Sequence, residues 1–398
     1  MSATALNAEH ECLLIGMDLP WPNIPEGVKS STVEIRDLDM HFLHAGEHKS
    51  PLVLLLHGFP ELSYSWREII LPLSQFGYFV VAPDQRGYGR TTRPAAQGQQ
   101  VTYGDDLVPY RMLNLVQDIV ALVHGLRYDT AAAVVGHDFG SSVAAHCALI
   151  RPDIFKSVVC MSAPYAGQPR HPTVFGEEHH APARGRQSAW AALNHHLALL
   201  HPPMKHYTTY FSGPDANADM CNAPQGLKAF LRAYFHMKSA DWPGNNPHPL
   251  GDVSHILKLP HYYVMSVHQT MPEAVEAHAP SPVDVLRNNW LPDEELSVYV
   301  DEFERTGFQG GLNWYRAQVD GSYTEELGVF AGKKIEVPAM FIGGVKDWGV
   351  YQSPGSLEKM KEVCTDFRGI TLIPSAGHWV QQERHKDVLQ TLGGFFGK

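Results

Sequence analysis

The sequence is poor in cysteine, and it has none of the cysteine patterns that staple small secreted domains. Its 5 cysteines in 398 residues form an odd set at wide spacings, with no Cys-x-x-Cys pair. This pattern indicates reduced thiols in a reducing compartment rather than a disulfide framework or a zinc site. We therefore expect a cytoplasmic protein.

Signal segments and long apolar runs are also absent. The start of the chain has no basic segment, and its apolar run at 12–15 is short, which is not the pattern of a secretory signal. No apolar stretch approaches the roughly 18 residues that a membrane-spanning helix requires. We expect no membrane span.

Positive charge is scarce relative to negative charge. The chain has Lys+Arg 31 against Asp+Glu 42, a formal net charge of −11, and no block rich in lysine or arginine. Such a chain is a poor partner for a phosphate backbone or an anionic lipid surface, so we expect no nucleic-acid partner. With 44% hydrophobic and 18% charged residues, the composition is that of a globular protein.

Short, continuously apolar runs recur along the chain and predict strands buried on both faces. Residues 31–45 alternate polar and apolar side chains and predict two antiparallel strands. The buried runs lie at 51–56, 79–83, 131–135, 157–161, 339–342 and 370–373. Helical periodicity lies between several of them, most clearly at 113–126. This alternation predicts an α/β fold with a mostly parallel sheet flanked by helices.

The alternation of strands and helices stops between about 165 and 330. This stretch is rich in proline, histidine and aromatic residues, and its periodic segments, 226–237 and 294–306, are helical. We interpret 165–330 as an inserted helical cap (lid) domain. Residues 1–164 and 331–398 then form one core domain of ordinary α/β size.

The most informative segment is Val-Val-Gly-His-Asp-Phe-Gly-Ser at 134–141. A strand, a small-x-Asp-x-small turn and a helix are typical of a nucleophile elbow, here with Asp138 in the usual place of serine. The flanking glycines permit a sharp turn that exposes the residue at its tip. A carboxylate there suits attack on an sp³ carbon with a strained or good leaving group, which gives an enzyme ester. The alternative is a plain turn in which Asp138 caps the helix.

An ester of this kind must be hydrolysed, which requires a base and an oxyanion hole. His378, after the last predicted strand, is the candidate base, and Asp347, after the preceding strand, is the acid that would orient it. The chain order of nucleophile, acid and histidine is that of α/β hydrolases. The backbone N–H groups of Phe59 and Phe139 would form the oxyanion hole. Loop capping by Asp347 and a simple strand-ending turn around Phe59 are the alternatives.

Several segments, in order, resemble those of the soluble epoxide hydrolases of the α/β-hydrolase fold. They are HGFPE (57–61), YSWR (64–67), PDQRGYGR (83–90), GHDFG (136–140), the Asp347 loop and GHWVQ (377–381). The resemblance covers roughly Val33 to the end of the sequence. It implies conversion of an apolar epoxide to a vicinal diol through an Asp138 ester that His-activated water hydrolyses, with no cofactor.

The same resemblance implies two cap tyrosines that hold and protonate the epoxide oxygen. The segment FQGGLNWYR (308–316) gives Tyr315. The segment KHYTTYF (205–211) gives Tyr207, with Tyr210 as the alternative. Aromatic packing within the cap is the other interpretation of these tyrosines.

Side chains next to these motifs are the candidates for a substrate-binding wall. They are His57, Pro60, Tyr210, Trp314, Trp348 and Trp379. Histidines crowd the cap, which carries extra sequence at about 171–201 and 236–285; they are His171, His179, His180, His195, His196 and His201. No compact ligand spacing joins them, so we expect solvated histidines and no metal. The sequence leaves the oligomeric state open, a homodimer included.

Other functions share the same carboxylate. A haloalkane dehalogenase needs halide-binding N–H donors, commonly a tryptophan after the nucleophile, and Phe139 has no such donor. A biosynthetic cyclase of this type would use Asp138 as a base or electrostatic group and open the epoxide with an internal nucleophile. A binding protein that kept only the fold is the last alternative, and the complete triad argues against it.

Overall fold

The computed structural model describes residues 21–96, 99–168, 189–251, 253–320 and 325–397. Its strands are β1 (Lys29–Ile35), β2 (Leu38–Ala45), β3 (Leu52–Leu56), β4 (Phe79–Pro83), β5 (Ala133–His137), β6 (Val158–Met161), β7 (Met204–His206), β8 (Val264–Ser266), β9 (Ala339–Gly344) and β10 (Phe367–Ile373). All but β7 and β8 belong to one eight-stranded sheet, in the order β1-β2-β4-β3-β5-β6-β9-β10.

The sheet is antiparallel at one edge and parallel elsewhere. β1 and β2 form the hairpin that the alternating residues predict, with Ile35 opposite Leu38. β2 also pairs antiparallel with β4, and the remaining pairs of the sheet are parallel. Strands β3 to β6 are buried along their whole length, which is why their sequences are continuously apolar. The predicted α/β fold with a mostly parallel sheet is confirmed.

α-Helices account for much of the rest of the described residues. They are α1 (Arg67–Ser74), α2 (Met112–Gly125), α3 (Phe139–Ile150), α4 (Ala189–Ala198), α5 (Tyr207–Phe211), α6 (Ala216–Cys221), α7 (Leu227–Lys238), α8 (Met271–Glu276), α9 (Pro282–Arg287), α10 (Asp293–Thr306), α11 (Gln309–Val319), α12 (Ser356–Val363), α13 (Val380–Glu383) and α14 (His385–Phe395). Alternate residues of a strand face opposite sides. Leu54 and Leu56 of β3 accordingly cluster with α2 and α3, whereas Val53 and Leu55 cluster with α1 and α14. None of the helices in the described ranges is long and apolar enough to cross a membrane.

The chain between β6 and β9 is mainly helical, from α4 to α11. It also contains a ribbon that was not predicted, in which β7 pairs antiparallel with β8 and His206 lies opposite Val264. Strands of three residues are too short to give a periodic signal. The boundaries of the cap at 165–330 stay a prediction, because cap and core side chains share one apolar cluster. Residues 169–188, which include most of the first predicted excursion at 171–201, lie outside the described residues.

The parallel strands bring their carboxyl ends to one edge of the sheet. The strand order changes direction at β3, since β4 lies on one side of it and β5 on the other. In open α/β sheets, ligands bind in the crevice that such a reversal leaves at the carboxyl edge. The segments after β3, β5, β9 and β10 carry Phe59, Asp138, Asp347 and His378, respectively. The fold therefore gathers these four predicted residues at one edge.

Candidate active site

Asp138 lies at the tip of a sharp turn between β5 and α3. Its backbone has φ 52° and ψ −120°, a strained conformation for a residue with a side chain. The turn is so tight that a Cβ on Gly136 would lie 2.0 Å from the carbonyl oxygen of Gly140. Asp138 makes no capping hydrogen bond to α3, so a plain helix cap does not describe this turn.

The carboxylate of Asp138 lies between a backbone N–H group and the ring of His378. The N–H of Phe59 donates to Oδ1 at 3.1 Å. Nε2 of His378 lies 3.2 Å from Oδ2, but without the alignment of a hydrogen bond, and among the described residues Nε2 has no hydrogen-bond partner. A buried ring nitrogen in this condition is suited to bind a water molecule next to the carboxylate.

Asp347 orients the imidazole of His378 from the other side. Nδ1 of His378 lies 3.0 Å from Oδ1 of Asp347, and the same oxygen accepts the N–H of Gly349 at 2.7 Å. Because an ionised carboxylate can only accept, we assign a proton to Nδ1, so that Nε2 is the nitrogen that faces Asp138. The structure thus brings Asp138, His378 and Asp347 together from three strand ends.

The surroundings keep both carboxylates ionised. Burial raises the pKa of Asp138, but the imidazole of His378 and the ammonium of Lys238 lower it by a larger amount. The pKa of Asp138 therefore lies well below its usual value. Burial likewise raises the pKa of Asp347, and His378 overcomes this effect and leaves it below the usual value. Asp138 is therefore present at neutral pH in the form that can attack carbon.

Two phenols from the cap share a cavity with Asp138. Tyr207 begins α5, Tyr315 lies on α11, and both line the cavity with Asp138. Their ring centroids are 6.0 Å apart. Burial, followed by the charge of Asp138, raises the pKa of each phenol above its usual value. Both hydroxyls therefore keep their protons and can donate hydrogen bonds.

Tyr210, the alternative first tyrosine, has a different partner. Its hydroxyl donates to Oδ2 of Asp219 at 3.1 Å, and it is not among the described residues that line the cavity. The hydroxyl of Tyr207 donates to Oε1 of Gln352, another cavity residue, at 3.4 Å. The structure therefore places Tyr207, and not Tyr210, together with Tyr315.

The cavity has a volume of about 470 Å³, within the usual range for small-molecule sites. The rings of Phe139, Tyr207 and Tyr315 line it beside Asp138. The wall also carries aliphatic and polar side chains, among them Leu193, Ile256, Ser142, Thr208, Gln318 and Gln352. It can hold an uncharged molecule with an apolar body.

The wall of the cavity differs from the substrate-binding wall predicted from the sequence. Among the described residues that line the cavity, none is His57, Pro60, Tyr210, Trp314, Trp348 or Trp379. All six side chains are buried, and backbone groups hold several of them. Nε2 of His57 accepts the N–H of Gln85 at 3.1 Å, and the indole N–H of Trp314 donates to the carbonyl of Arg86 at 3.0 Å. Large rings next to the motifs are buried in the protein instead of forming the wall.

A buried charged pair beneath the site was not predicted. Nδ1 of His137 lies 2.5 Å from Oε2 of Glu61, and its Nε2 lies 2.7 Å from the backbone oxygen of His378. Burial lowers the pKa of His137, but Glu61 raises it above the usual value. Both residues belong to segments noted in the sequence, HGFPE and GHDFG. Their contact joins positions 76 apart, and no local pattern reveals such a contact.

Lys238, the last residue of α7, is a second charge that sequence reasoning missed. Its side chain is buried, with Nζ 5.4, 5.6 and 5.3 Å from the ring centroids of Tyr234, Tyr263 and Trp379. Aromatic faces stabilise an ammonium that has lost its water. Its positive charge lowers the pKa of Asp138, so the cap contributes to the electrostatics of the nucleophile.

The cap histidines form no metal site in the part of the chain that the structure describes. No group of three or more His, Cys, Asp or Glu side chains there could hold a metal ion. His195 and His196 are exposed on α4, and His201 is exposed as well. His171, His179 and His180 lie outside the described residues.

The strand order and the elbow after β5 place the chain among the α/β-hydrolase-fold proteins. In agreement, the family described as the alpha/beta hydrolase fold matches residues 51–234. The distinguishing feature within that class is an aspartate at the tip of the elbow, facing two phenols from the cap.

Comparisons with known proteins define the family further. Epoxide hydrolase B of Mycobacterium tuberculosis is 30% identical over 378 residues, which cover 88% of this chain and 92% of that protein. AB hydrolase superfamily protein YfhM of Bacillus subtilis is 37% identical over 368 residues, 92% of this chain and 97% of its own. The solved epoxide hydrolase from an endophytic Streptomyces has a TM-score of 0.72 and 30% identity, with 94% of this chain and 96% of that one covered. The chain belongs to the epoxide hydrolase family, which confirms the resemblance of its motifs.

Proposed function

We propose that this protein is an epoxide hydrolase that converts an apolar epoxide and water to a vicinal diol through an ester on Asp138. The observation that carries the proposal is that the Asp138 carboxylate and the phenols of Tyr207 and Tyr315 line one cavity. A nucleophile facing two O–H donors suits a substrate whose leaving group is an oxygen that needs a proton. The names of the relatives from Mycobacterium and Streptomyces support the same activity.

In the first half-reaction, Asp138 attacks one carbon of the epoxide ring. A carboxylate oxygen forms a bond to this carbon while the ring C–O bond on the opposite side breaks and leaves its electron pair on oxygen. Tyr207 and Tyr315 hydrogen-bond that oxygen, and one of them gives it a proton. The products are a hydroxyalkyl ester of Asp138 and a phenolate.

In the second half-reaction, water bound at Nε2 of His378 hydrolyses the ester. His378 removes a proton from water, and the water oxygen bonds to Cγ of Asp138. The N–H groups of Phe59 and Phe139 stabilise the oxyanion, each by about 3–4 kcal/mol if well placed. Collapse breaks the bond from Cγ to the alkyl oxygen, which takes the second proton of the water, so that the diol is released and Asp138 is again a carboxylate. The proton on His378 then balances the phenolate of the first step, and Asp347 stabilises the imidazolium in between.

The cavity wall supports an apolar epoxide as the substrate. The rings of Phe139, Tyr207 and Tyr315 surround the nucleophile, and Leu193 and Ile256 extend the apolar surface. Burying an apolar body against such a wall stabilises the complex by roughly 25 cal/mol per Å². The proposed partners are this small molecule and water, with no nucleic acid. A cytoplasmic location stays a prediction, and no oligomeric state is proposed.

Two alternatives fit the site less well. A haloalkane dehalogenase requires N–H donors to halide, and Phe139, which lines the cavity, has none in its side chain. A cyclase forms no ester and has no need of a base beside the carboxylate, whereas Nε2 of His378 lies 3.2 Å from Asp138 and has no hydrogen-bond partner among the described residues. Release of halide from a haloalkane would favour the dehalogenase, and formation of a cyclic ether would favour the cyclase.

A single turnover in oxygen-labelled water, with enzyme in excess over epoxide, tests the proposal. We expect the first diol to contain no solvent label, because its new oxygen comes from the carboxylate of Asp138. Label that enters the diol directly from solvent in the first turnover would contradict the ester mechanism. The matched control is Asp138→Ala, which should form neither adduct nor diol.

A further inference from the structure

The loop that carries His378 rests on the cap as well as on the core. The backbone N–H of His378 donates to the carbonyl oxygen of Lys238 at 2.8 Å. Lys238 ends α7, so its carbonyl is one of those that a helix leaves without an internal partner. The indole N–H of the next residue, Trp379, donates to the carbonyl of Phe235 in the same helix at 2.8 Å. The end of α7 therefore helps to hold the loop that carries His378.

The carboxylate of Glu383 links the His378 loop to the chain just after α7. Glu383, at the end of α13, accepts the N–H groups of Gly377 and Trp379 at 2.8 and 3.0 Å. These two residues flank His378 in the chain. Oε2 of Glu383 also accepts the N–H of Ala240, just beyond α7, at 2.8 Å. A single side chain thus holds the backbone on both sides of the imidazole and ties it to the cap.

The backbone of Gly377 packs directly against the backbone of the chain just after α7. A Cβ on Gly377 would lie 2.4 Å from the carbonyl carbon of Ser239 and 2.5 Å from the nitrogen of Ala240. Backbone atoms at this distance cannot move aside as a flexible side chain can. On the cap side, Asn245 donates to the carbonyls of Met237 and Ser239, both at 2.7 Å, which stiffens the chain where Gly377 contacts it.

Glu383 does not contact the substrate cavity. It is absent from the described residues that line that cavity, and it lines a separate groove with Arg67 and Trp290. Burial raises the pKa of Glu383 to about 8, against the three backbone N–H donors that favour the ionised form. Oε2 can accept the N–H groups of Gly377 and Ala240 in either form. These contacts therefore do not depend on ionisation.

We propose that Glu383 is a positioning residue for ester hydrolysis, which fixes the backbone around His378 against the end of α7 and so holds Nε2 over Asp138. The inference rests on the proposed function, in which His378 acts as a base only in the second half-reaction. Glu383 should then govern the hydrolysis of the ester and leave its formation unaffected. A residue that merely stabilises the fold would change both steps alike.

The test uses the full chain, with styrene oxide as the probe, in rapid-quench single turnovers followed by intact mass. In Glu383→Ala we expect ester hydrolysis to slow by about 10- to 100-fold, since a poorly placed base loses much of its contribution. Ester formation should stay within about twofold of the wild type, so the adduct of one styrene oxide accumulates. In the steady state, kcat and KM should then fall together.

Glu383→Gln is the conservative variant, and Glu362→Gln, on an exposed position of α12, is the matched control. The glutamine oxygen can still accept two N–H groups, but its NH₂ meets the N–H of Trp379, so we expect a smaller slowing of hydrolysis alone. If Glu383→Ala does not fold, this variant decides the question. The control should match the wild type in both steps.

Two outcomes separate failure of this inference from failure of the proposed function. The inference is wrong if the Glu383 variants slow both half-reactions by the same factor, or change neither, while His378→Gln accumulates the ester. The proposed function is wrong if His378→Gln and every other variant form no ester at all. Selective slowing of hydrolysis in the Glu383 variants supports both.

Discussion

The core and cap sides of the cavity hold their functional groups in different ways. On the core side, polar contacts of defined direction fix each group, as the N–H of Phe59 does for Asp138 at 3.1 Å. On the cap side, Tyr315 is held by ring packing, with centroids 5.3 and 5.1 Å from those of Phe139 and Phe211. Hydrogen bonds fix the position of single atoms, whereas ring contacts define a wall of a given shape.

This difference suggests how each side should respond to substitution. In the proposed mechanism, the core groups carry the ester and activate the water, so removing one should stop a step. The two cap phenols are proposed to share one task, the protonation of the epoxide oxygen, so removing one should slow the step while the other remains. The predictions that follow test this contrast, beginning with the largest expected effect.

Asp138→Asn should lower diol formation by about 10⁴-fold or more, because the amide cannot form the ester. The measurement is the rate of diol production from a panel of epoxides, with urea unfolding of the same sample as a control for folding. Activity within tenfold of the wild type would remove Asp138 from the role of nucleophile and, with it, the core side of the comparison.

His378→Gln should stop turnover after the first half-reaction. Without the base, we expect kcat to fall by about 10³-fold or more, while one equivalent of epoxide per enzyme is converted to a stable adduct. Intact mass measures the adduct, and peptide mapping locates it on Asp138. If the variant turned over slowly without any adduct, the imidazole would be needed for the first step, and the division into two half-reactions would be incorrect.

Tyr207→Phe and Tyr315→Phe should each slow ester formation by about 100-fold, the usual contribution of a general acid. The double variant, with both Tyr207→Phe and Tyr315→Phe, should slow ester formation far more than either single variant, since no O–H donor then remains. Quench-flow rates of adduct formation measure both effects. Tyr210→Phe is the control and should stay within about twofold, because its hydroxyl donates to Asp219. A loss in the control equal to that of Tyr207→Phe would contradict the assignment of the first tyrosine.

The same contrast explains how much of the molecule could be predicted from its sequence. Buried strands give apolar runs, and Asp138 and His378 lie in segments that follow two such runs, so the sheet topology places both residues at one edge of the sheet. Tyr207 lies on a five-residue helix beside a three-residue strand, where periodicity carries no signal. Its place was inferred from a resemblance, which could not exclude Tyr210.

The residues that the sequence did not reveal act over long distances in the chain. Glu61 meets His137 across 76 positions, and Glu383 meets Ala240 across 143. Such contacts depend on the packing of whole elements and leave no pattern within either segment. For the same reason, Trp314 and Trp348 were expected in the cavity wall and in fact are buried without lining it.

Polar positioning on the core side extends beyond the cavity, to Asp84 after β4. Oδ1 of Asp84 accepts the N–H of Ser63 at 2.8 Å, and Oδ2 accepts the N–H of Arg90 at 2.9 Å and Nδ1–H of His41 at 2.8 Å. Burial raises the pKa of this carboxyl, but His41 and the other donors lower it from 3.8 to about 2. The carboxylate therefore stabilises the strand-end loops of the folded protein without contacting the substrate.

Asp84→Asn should reduce the free energy of unfolding by about 2–3 kcal/mol at pH 7, the value that follows from a pKa lowered from 3.8 to about 2. Because the folded pKa of Asp84 lies below the unfolded one, this stabilisation is complete above about pH 5 and is lost as the pH falls from there toward 2. Urea unfolding at pH 7, 5 and 3 should therefore show the difference between wild type and variant shrinking on acidification, while Asp129→Asn, on an exposed position, gives a small difference throughout. A difference for Asp84→Asn that stays constant with pH would mean that the shape of the side chain, and not its charge, supports the loops. The core would then be positioned by packing, as the cap is.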